Sequence, residues 1–514
     1  MNKTILIESI LLISLGMLTS LSLPPFNYLI INFFTFSFFF IFLFKKSKII
    51  RARKIFFLYG WLFGFGYFIT NLYWISISLT FDQEFKFLIP LAFFLIPAFL
   101  GIFYGLVSYL FIIFKQKKIV ISFLVFSVIF GILEFIRGSI LTGFPWNLIA
   151  YSFSNQLEIS TITSIIGTYG FNLFCISLFT CPAIFILRDT KKDIGVCIIF
   201  LITTILFFIY GSYYEKKFNE SDFNTYNYKI RVIGSNVSLD RFYSDQDPIS
   251  VIKDLIKISE PNKKEKTIFV WPEGILPNIS QKELIEYNWL FKKHFSENHL
   301  LIIGINSQSV NEGINNYYNS LSIYDHNLKL INSYNKINLV PFGEFLPFET
   351  LLEKIGLKTI TNNYQSFSKG DKRNIIKIKI DKFSLNILPL ICYEIIYSGK
   401  IFNNQDFDII INISEDGWFG KSIGPKQHFD HSIFRSIESG KYILRSSNNG
   451  MAAIINPLGI VEKKVDFGKS GYIDFSKVRK IQPTIFSKYG NKIFALLILL
   501  YIFLIFSFIK TNNE

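Results

Sequence analysis

"FSLNILPLICYE" (residues 383–394) decides how the long middle part of this chain folds. From Ile387 to Ile391 it carries no polar residue. A short continuous apolar run is what a strand covered on both faces requires, as in the parallel sheets of layered α/β domains. The run stops at Cys392, followed by Tyr393 and Glu394. In such sheets the chemistry gathers just beyond the carboxyl ends of the strands. A thiol placed there is either a small buried hydrophobe or a reagent.

Runs of the same kind surround it: "KIRVIGSNV" (229–237), "KTIFVWPEG" (266–274), "LLIIGINSQ" (300–308), "NSLSIYD" (319–325), "IIKIKI" (375–380) and "FDIIINISED" (407–416). Helical patterns fall between them near 248–259, 281–295 and 427–440. Strands interleaved with helices predict a layered α/β domain over 229–475. The polar, aromatic stretch "SYYEKKFNESDFNTYNY" (212–228) reads as a linker.

The flanks are a different material. Half of the 514 residues are hydrophobic and 59 are Phe, too apolar for an ordinary soluble protein. A helix that crosses a bilayer needs about 20 mostly apolar residues. Eight runs qualify, near 4–23, 28–44, 55–80, 88–114, 119–136, 159–187, 194–211 and 489–509, giving a membrane domain over 1–211 and a final span after the α/β domain. One alternating set of connections contains 14 basic residues, among them "KKSKIIRARK" (45–54) and "KQKK" (115–118), while the opposite short loops contain only Lys86 and Arg137. The positive-inside rule puts the basic set, and both termini, in the cytoplasm. The α/β domain then lies outside, between spans seven and eight. The net charge of +15 reflects these anchors and does not call for nucleic acid. Cys175, Cys181 and Cys197 all fall inside spans, which leaves Cys392 without an intramolecular partner.

Other strand ends complete a reactive set. "TIFVWPEG" delivers Glu273, and "SYNKINLVPFGEFLP" delivers Lys336 and Glu344. A cysteine near its ordinary pKa is mostly protonated at neutral pH and needs a base or a cation beside it. Glu273 would take the thiol proton, and Lys336 would hold the thiolate and then an oxyanion. The Tyr393 N–H would be a second oxyanion donor. Glu344 is a second acid/base or orients Lys336. The five histidines are remote in sequence from Cys392; His428 and His431 read as ordinary surface residues, and no metal site is expected.

These motifs have a familiar order. "WPEG", "NKINLVPFGEFLP", "ICYE" and "NISEDGWFG" resemble the nitrilase superfamily, whose triad is Glu–Lys–Cys in an αββα sandwich. The eight-span frame, with "GFGYFITNLYW" (64–74), "GFPWNLIAYS" (143–152), "YYNSLSIYD" (317–325) and "RSSNNGMAAIINPLG" (445–459), resembles the bacterial apolipoprotein N-acyltransferases. The resemblance implies Glu273 as general base, Lys336 as catalytic lysine and Cys392 as the acylated nucleophile, with Glu344, Tyr393 and Glu394 supporting the site. It implies a phospholipid acyl donor, typically phosphatidylethanolamine, and the N-terminal diacylglyceryl-cysteine of an apolipoprotein as acceptor. It also implies the bacterial cytoplasmic membrane as location, a monomer, and no cofactor. The pattern departs at "GSN" (234–236), at Phe242 or Tyr243 where a tryptophan is common, and at "SEDGWFG" (414–420).

Two other readings compete: a membrane-anchored nitrilase-type amidase with water as acceptor, and a transporter or scaffold with a degenerate outer domain. Few ionisable residues lie within the spans, which disfavours an ion pathway. The apolar arm "LVPFGEFLPFETLLEKIGL" (339–357) reads either as a membrane-facing lid or as packing on the domain core. Glu134 and Arg137, three apart on one helix, would contact a headgroup or form an ion pair. Glu8 is costly in lipid and is expected to face the bundle.

Overall fold

The computed structural model describes residues 3–510, apart from 244–246, 312, 350–353, 355–365, 381, 402–405 and 480. Its N-terminal part is helical: α1 (Lys3–Ser20), α2 (Ile30–Lys46), α3 (Lys54–Leu72), α4 (Ile89–Phe114), α5 (Ile119–Arg137), α6 (Thr163–Leu187) and α7 (Ile194–Glu220). A further apolar helix, Lys492–Lys510, closes the described chain. Among the described residues, six helical stretches are long and apolar enough to cross a membrane: Lys54–Thr80, Gln83–Phe114, Ile119–Arg137, Thr163–Leu187, Lys191–Glu220 and Lys492–Lys510. The helices α1 and α2, of 18 and 17 residues, are shorter.

The bundle interior is largely aromatic. Phe39 stacks on Phe63 at 4.2 Å between ring centres, and Phe36, Phe126, Phe130 and Tyr104 surround them. Lipid tails are as apolar as these side chains, so close packing, not water exclusion, holds such helices together. Glycine permits the tightest approach. A Cβ added to Gly66 on α3 would lie 2.2 Å from the Ile13 carbonyl oxygen on α1, and one on Gly16 would lie 2.0 Å from the Phe63 carbonyl oxygen.

Two ion pairs lie within the bundle. Glu8 accepts a hydrogen bond from the Tyr59 hydroxyl at 2.6 Å and pairs with Lys46. Glu134 and Arg137 form a buried ion pair, and Arg137 also donates to the Phe144 carbonyl. Of the two readings of Glu134 and Arg137, the ion pair is the one observed.

The helix α7 does not stop near residue 211. It continues to Glu220, and β1 (Phe223–Ser235) starts three residues later. The expected linker 212–228 is therefore helix and strand: its Tyr, Lys and Glu residues carry the helix on past the apolar segment.

The α/β part contains α8 (Pro248–Ser259), β2 (Thr267–Val270), α9 (Asn288–His294), β3 (His299–Asn311), β4 (Ile314–Asp325), β5 (Leu330–Asn335), β6 (Ile376–Ile380), β7 (Phe383–Ile391), β8 (Ile409–Glu415), α10 (Gly424–Ser439), β9 (Tyr442–Asn448), β10 (Ala452–Ile455), β11 (Val461–Val465) and β12 (Gly471–Arg479). The strands follow the order β5-β4-β3-β2-β1-β9-β8-β7-β6. The inner strands are parallel: β1 with β2 and β9, β2 with β3, and β7 with β8 with β9. The β1–β9 pairing spans only Gly234–Ser447 and Ser235–Asn448, so the sheet divides into two leaves there.

The period-2 alternation of strands explains the continuous apolar runs. Ile230, Val232, Ile268, Val270 and Ile302 of one leaf share a core with Ile387, Ile409, Ile411 and Leu444 of the other. The alternate residues of the first leaf, Ile233, Phe269, Trp271, Leu301 and Ile303, pack under α8 and α9. Those of the second, Leu388, Leu390, Ile410 and Ile443, join one apolar cluster with α10 and the membrane helices. The layers run helix, sheet, sheet, helix, and the last helix is itself covered by the bundle. The strands β9 to β12 were not among those read from the sequence.

The arm after Lys336 is described through Glu349. Phe342 and Phe348 have left-handed backbones, with φ of 64° and 57°, and are 51% and 78% exposed. Most of its remainder to residue 357 lies outside the described residues.

A Gly66→Val substitution forces α1 and α3 apart. It is expected to destabilise the bundle by about 1–3 kcal/mol, seen as a lower thermal unfolding midpoint in micelles. Gly195→Ala on α7, where an added Cβ meets nothing within 4 Å, is expected to leave that midpoint unchanged.

Candidate active site

The site lies at the carboxyl edge of the sheet, where the two leaves meet. Glu273 follows β2, Lys336 follows β5, Cys392 follows β7, and Glu415 and Asp416 end β8. Gly304 on β3 lets Glu273 come close: a Cβ there would lie 2.3 Å from the Pro272 carbonyl oxygen and 2.5 Å from the Glu273 Cα.

Lys336 is buried between two carboxylates. Its Nζ donates to Glu273 Oε1 at 3.0 Å and to Glu344 Oε1 at 2.9 Å. Asn319 on β4, which sequence reasoning passed over, donates through Nδ2 to the same two oxygens, at 2.7 and 2.8 Å. The other oxygens are also held: the Glu415 N–H donates to Glu273 Oε2 and the Val340 N–H to Glu344 Oε2, each at 2.9 Å. Burial alone would lower the Lys336 pKa, but the Glu273 and Glu344 charges overcome it and hold the ammonium well above its ordinary value.

Cys392 is buried and left-handed, with φ +46°. Burial pushes its thiol well above the ordinary value, and the negative charge of Glu273 adds to this; Lys336 opposes it. The resting sulfur is therefore a thiol at neutral pH. Such a thiol can act as a nucleophile only when a base takes its proton.

Glu394 ties the sulfur's segment to that of the lysine. Its Oε1 accepts from the Tyr334 hydroxyl at 2.7 Å, the Ile337 N–H at 3.0 Å, the Asn338 N–H at 3.2 Å and Arg373 Nη2 at 2.7 Å. Its Oε2 accepts from the Ile391 N–H at 2.9 Å. One carboxylate thus fixes the strand end before Cys392 and the loop after Lys336. Tyr393 turns the other way: its hydroxyl donates to the Gly143 carbonyl at 3.1 Å, in the loop after α5.

His428 and His431, expected on the surface, are instead buried on α10. This helix is polar in sequence yet covered on both sides, so hydropathy alone misplaces it. Several of its polar groups are paired across the layers. Gln427 accepts from Trp146 Nε1 at 2.9 Å, and His431 Nδ1 lies 2.9 Å from the Tyr151 hydroxyl. The Glu438 carboxylate accepts from the Thr168 N–H at 2.7 Å, where Gly167 breaks α6 with φ +68°. Asp416 accepts from Arg445 Nη2 at 2.8 Å; burial would raise its pKa, but the neighbouring Arg445 and His428 hold it well below the usual carboxylate range.

Known proteins divide along the same lines. Residues 15–181 match the model of the apolipoprotein N-acyltransferase N-terminal domain, and residues 258–479 match that of the carbon-nitrogen hydrolases. The class is therefore a membrane protein with a carbon-nitrogen hydrolase domain. The Rickettsia prowazekii protein named apolipoprotein N-acyltransferase is 33% identical over 95% of this chain and 95% of its own length. The protein of that name from Rhizobium leguminosarum is 31% identical over 91% and 89%. Saccharomyces cerevisiae Nit3, a nitrilase-superfamily member of known structure, aligns with 48% of this chain and 90% of its own at a TM-score of 0.32 and 15% identity. The chain belongs to the apolipoprotein N-acyltransferase family.

The raised thiol pKa has a direct readout. Alkylation of Cys392 by iodoacetamide is expected to gain about tenfold per pH unit from neutrality, as the thiolate fraction does, and to be still climbing at pH 9, the ordinary value. A plateau below that pH would contradict it.

Proposed function

We propose that the protein transfers a fatty acyl chain from a membrane phospholipid, through a thioester on Cys392, to the α-amino group of the diacylglyceryl-cysteine that begins an apolipoprotein. The observation that carries the reading is the buried cluster of Glu273, Lys336 and Glu344, in which the charges of Glu273 and Lys336 act on the Cys392 thiol, in a chain similar along nearly its whole length to proteins named for this activity.

Glu273 takes the thiol proton as sulfur attacks the ester carbonyl. Lys336 and the Tyr393 N–H hold the oxyanion. The tetrahedral adduct breaks its C–O bond, and the lysophospholipid oxygen leaves with the proton from Glu273. The acceptor amine then attacks the thioester and gives its proton to Glu273. The C–S bond breaks, an amide remains, and the proton returns to sulfur. Glu344 keeps Lys336 charged through both half-reactions, and Glu394 keeps the sulfur and the ammonium in register.

Each CH₂ drawn into water costs about 0.8 kcal/mol, so the acyl chains stay in the bilayer and the site stands at its surface. The apolar face that joins the catalytic domain to the bundle supports a lipid substrate over the small, water-soluble one of an amidase. The protein is a multi-pass protein of the bacterial inner membrane. Residues 1–211 form seven spans and 489–509 the eighth. The catalytic domain, from β1 to β12, lies on the extracytoplasmic side with both termini cytoplasmic, a placement that the basic connections support. The donor is phosphatidylethanolamine and the working unit a monomer.

Incubation with labelled phosphatidylethanolamine is expected to leave one acyl chain on Cys392, released by a diacylglyceryl peptide and not by water. Cys392→Ala is expected to abolish the adduct with folding retained. Loss of the label as free fatty acid, with or without peptide, would establish hydrolysis instead. In whole cells an impermeant maleimide is expected to label Asn298→Cys and to spare Lys117→Cys; the reverse pattern would invert the topology.

A further inference from the structure

We propose that His428 is a positioning residue: it holds the Cys392 carbonyl, and with it the left-handed turn that aims the sulfur, while the loop over residues 142–147 of the membrane domain holds His428 in place. The inference deepens the acyl-transfer reading and rests on it.

The first observation is strain. Non-glycine residues avoid the left-handed region, and one held there at a reactive centre needs surroundings that over-determine it. Cys392 sits there at φ +46°. On its N-terminal side, Glu394 fixes the Ile391 N–H. On its C-terminal side, the Cys392 carbonyl oxygen lies 3.3 Å from His428 Nε2. A carbonyl only accepts, so Nε2 carries a proton and donates it.

The second observation is how the ring is held. His428 Nδ1 lies 2.9 Å from Asp416 Oδ1 and 3.1 Å from Arg445 Nη2. Asp416 is fixed by Arg445 at 2.9 and 2.8 Å, by Ser414 Oγ at 2.8 Å and by Ser447 Oγ at 3.1 Å. The imidazole is thus rooted in the ends of β8 and β9. Both ring nitrogens are engaged, which leaves no lone pair for the sulfur. His428 is therefore not the base for the thiol.

The third observation is what covers the ring. Trp146 stacks on it at 5.3 Å with 23° between the planes, and Phe419 meets it edge-on at 5.4 Å. The loop carrying Trp146 also receives hydrogen bonds from Tyr393 and Tyr397 at the Gly143 carbonyl, at 3.1 and 3.2 Å, and from Arg137 at the Phe144 carbonyl. Two routes thus lead from one membrane loop to the nucleophile: through His428 to the Cys392 carbonyl, and through the next side chain, Tyr393. The bundle both anchors the catalytic domain and sets the posture of its sulfur.

The test uses the full chain in phosphatidylethanolamine vesicles. His428→Phe keeps an aromatic ring under Trp146 and loses the donor. Single-turnover acylation of Cys392 is expected to slow about ten- to a hundredfold, the scale of one hydrogen bond at a buried carbonyl. His428→Gln, which retains an amide donor, is expected to recover at least part of the loss. The pH dependence of iodoacetamide alkylation is expected to keep its apparent pKa in both, with a lower rate in the Phe variant. Acylation at the wild-type rate in His428→Phe would overturn the proposal, as would an alkylation pKa shifted as far as by Glu273→Gln, which would mark a base. If His428→Phe does not fold, Trp146→Phe leaves every hydrogen bond of the His428 ring in place and loosens the stack; it also removes the Trp146 Nε1–Gln427 bond, which Gln427→Ala removes alone as the control. Trp146→Phe is expected to slow acylation with the alkylation pKa unmoved, and wild-type acylation in it would overturn the proposal. A wild-type protein that forms no acyl adduct would overturn the acyl-transfer reading instead; the alkylation rates need no lipid and still test the role of His428.

Discussion

A buried ammonium shared by two carboxylates is the constraint on which the site depends. Taking Lys336 out of water costs several kcal/mol unless opposite charge stands beside it. Glu273 and Glu344 supply that charge, and Asn319 donates to both of them. The cluster carries one more negative charge than positive. Burial, with the Glu273 charge beside it, keeps the nearby thiol protonated at rest against the pull of Lys336. A protonated thiol is inert to stray electrophiles until a base takes its proton; in the proposed reaction that base is Glu273.

Such a cluster is only as good as the frame that holds it, and the frame is double. Within the catalytic domain, the Glu394 carboxylate ties the residue before Cys392 to the peptides after Lys336. Between domains, α10 is buried with three of its polar residues paired to the bundle. Gln427 meets Trp146, His431 meets Tyr151, and Glu438 caps the backbone freed where Gly167 interrupts α6. A buried polar seam of this kind is weak evidence for stability, but its directional bonds accept only one register. An apolar seam would let the domain slide on the bundle. In the proposed reaction a lipid carbonyl entering from the bilayer must find the sulfur at a fixed height, and directional bonds suit that need.

The local features were legible in the sequence. Continuous Ile, Leu and Val runs marked strands covered on both faces. Glu273, Lys336, Glu344 and Cys392 were visible as reactive types at strand ends, and their common edge followed from the parallel topology. Asn319 was not visible as a member of the site, because an asparagine in a strand reads as a solvated residue until its neighbours are known. The histidines were misread for a related reason. The helix α10 has a polar composition, and burial was inferred from composition; here the burial comes from a second domain that composition cannot see. The stretch 212–228 was misread because polarity was taken for the absence of structure, whereas its residues form good helix and strand.

What the sequence alone determined is what depends on near neighbours: which long segments are strongly apolar, where the strands leading to Glu273 and Cys392 run, and which reactive side chain stands just beyond them. Tertiary structure alone decided that one ammonium lies between two carboxylates 63 and 8 residues away. It also decided that a histidine 36 residues from the nucleophile meets its carbonyl, and that a membrane loop covers that histidine. The reason is physical. Periodicity and hydropathy report how a residue meets its local surroundings, whereas the charge state of a buried group and the posture of a strained one are set by atoms that only the folded chain brings within a few ångströms.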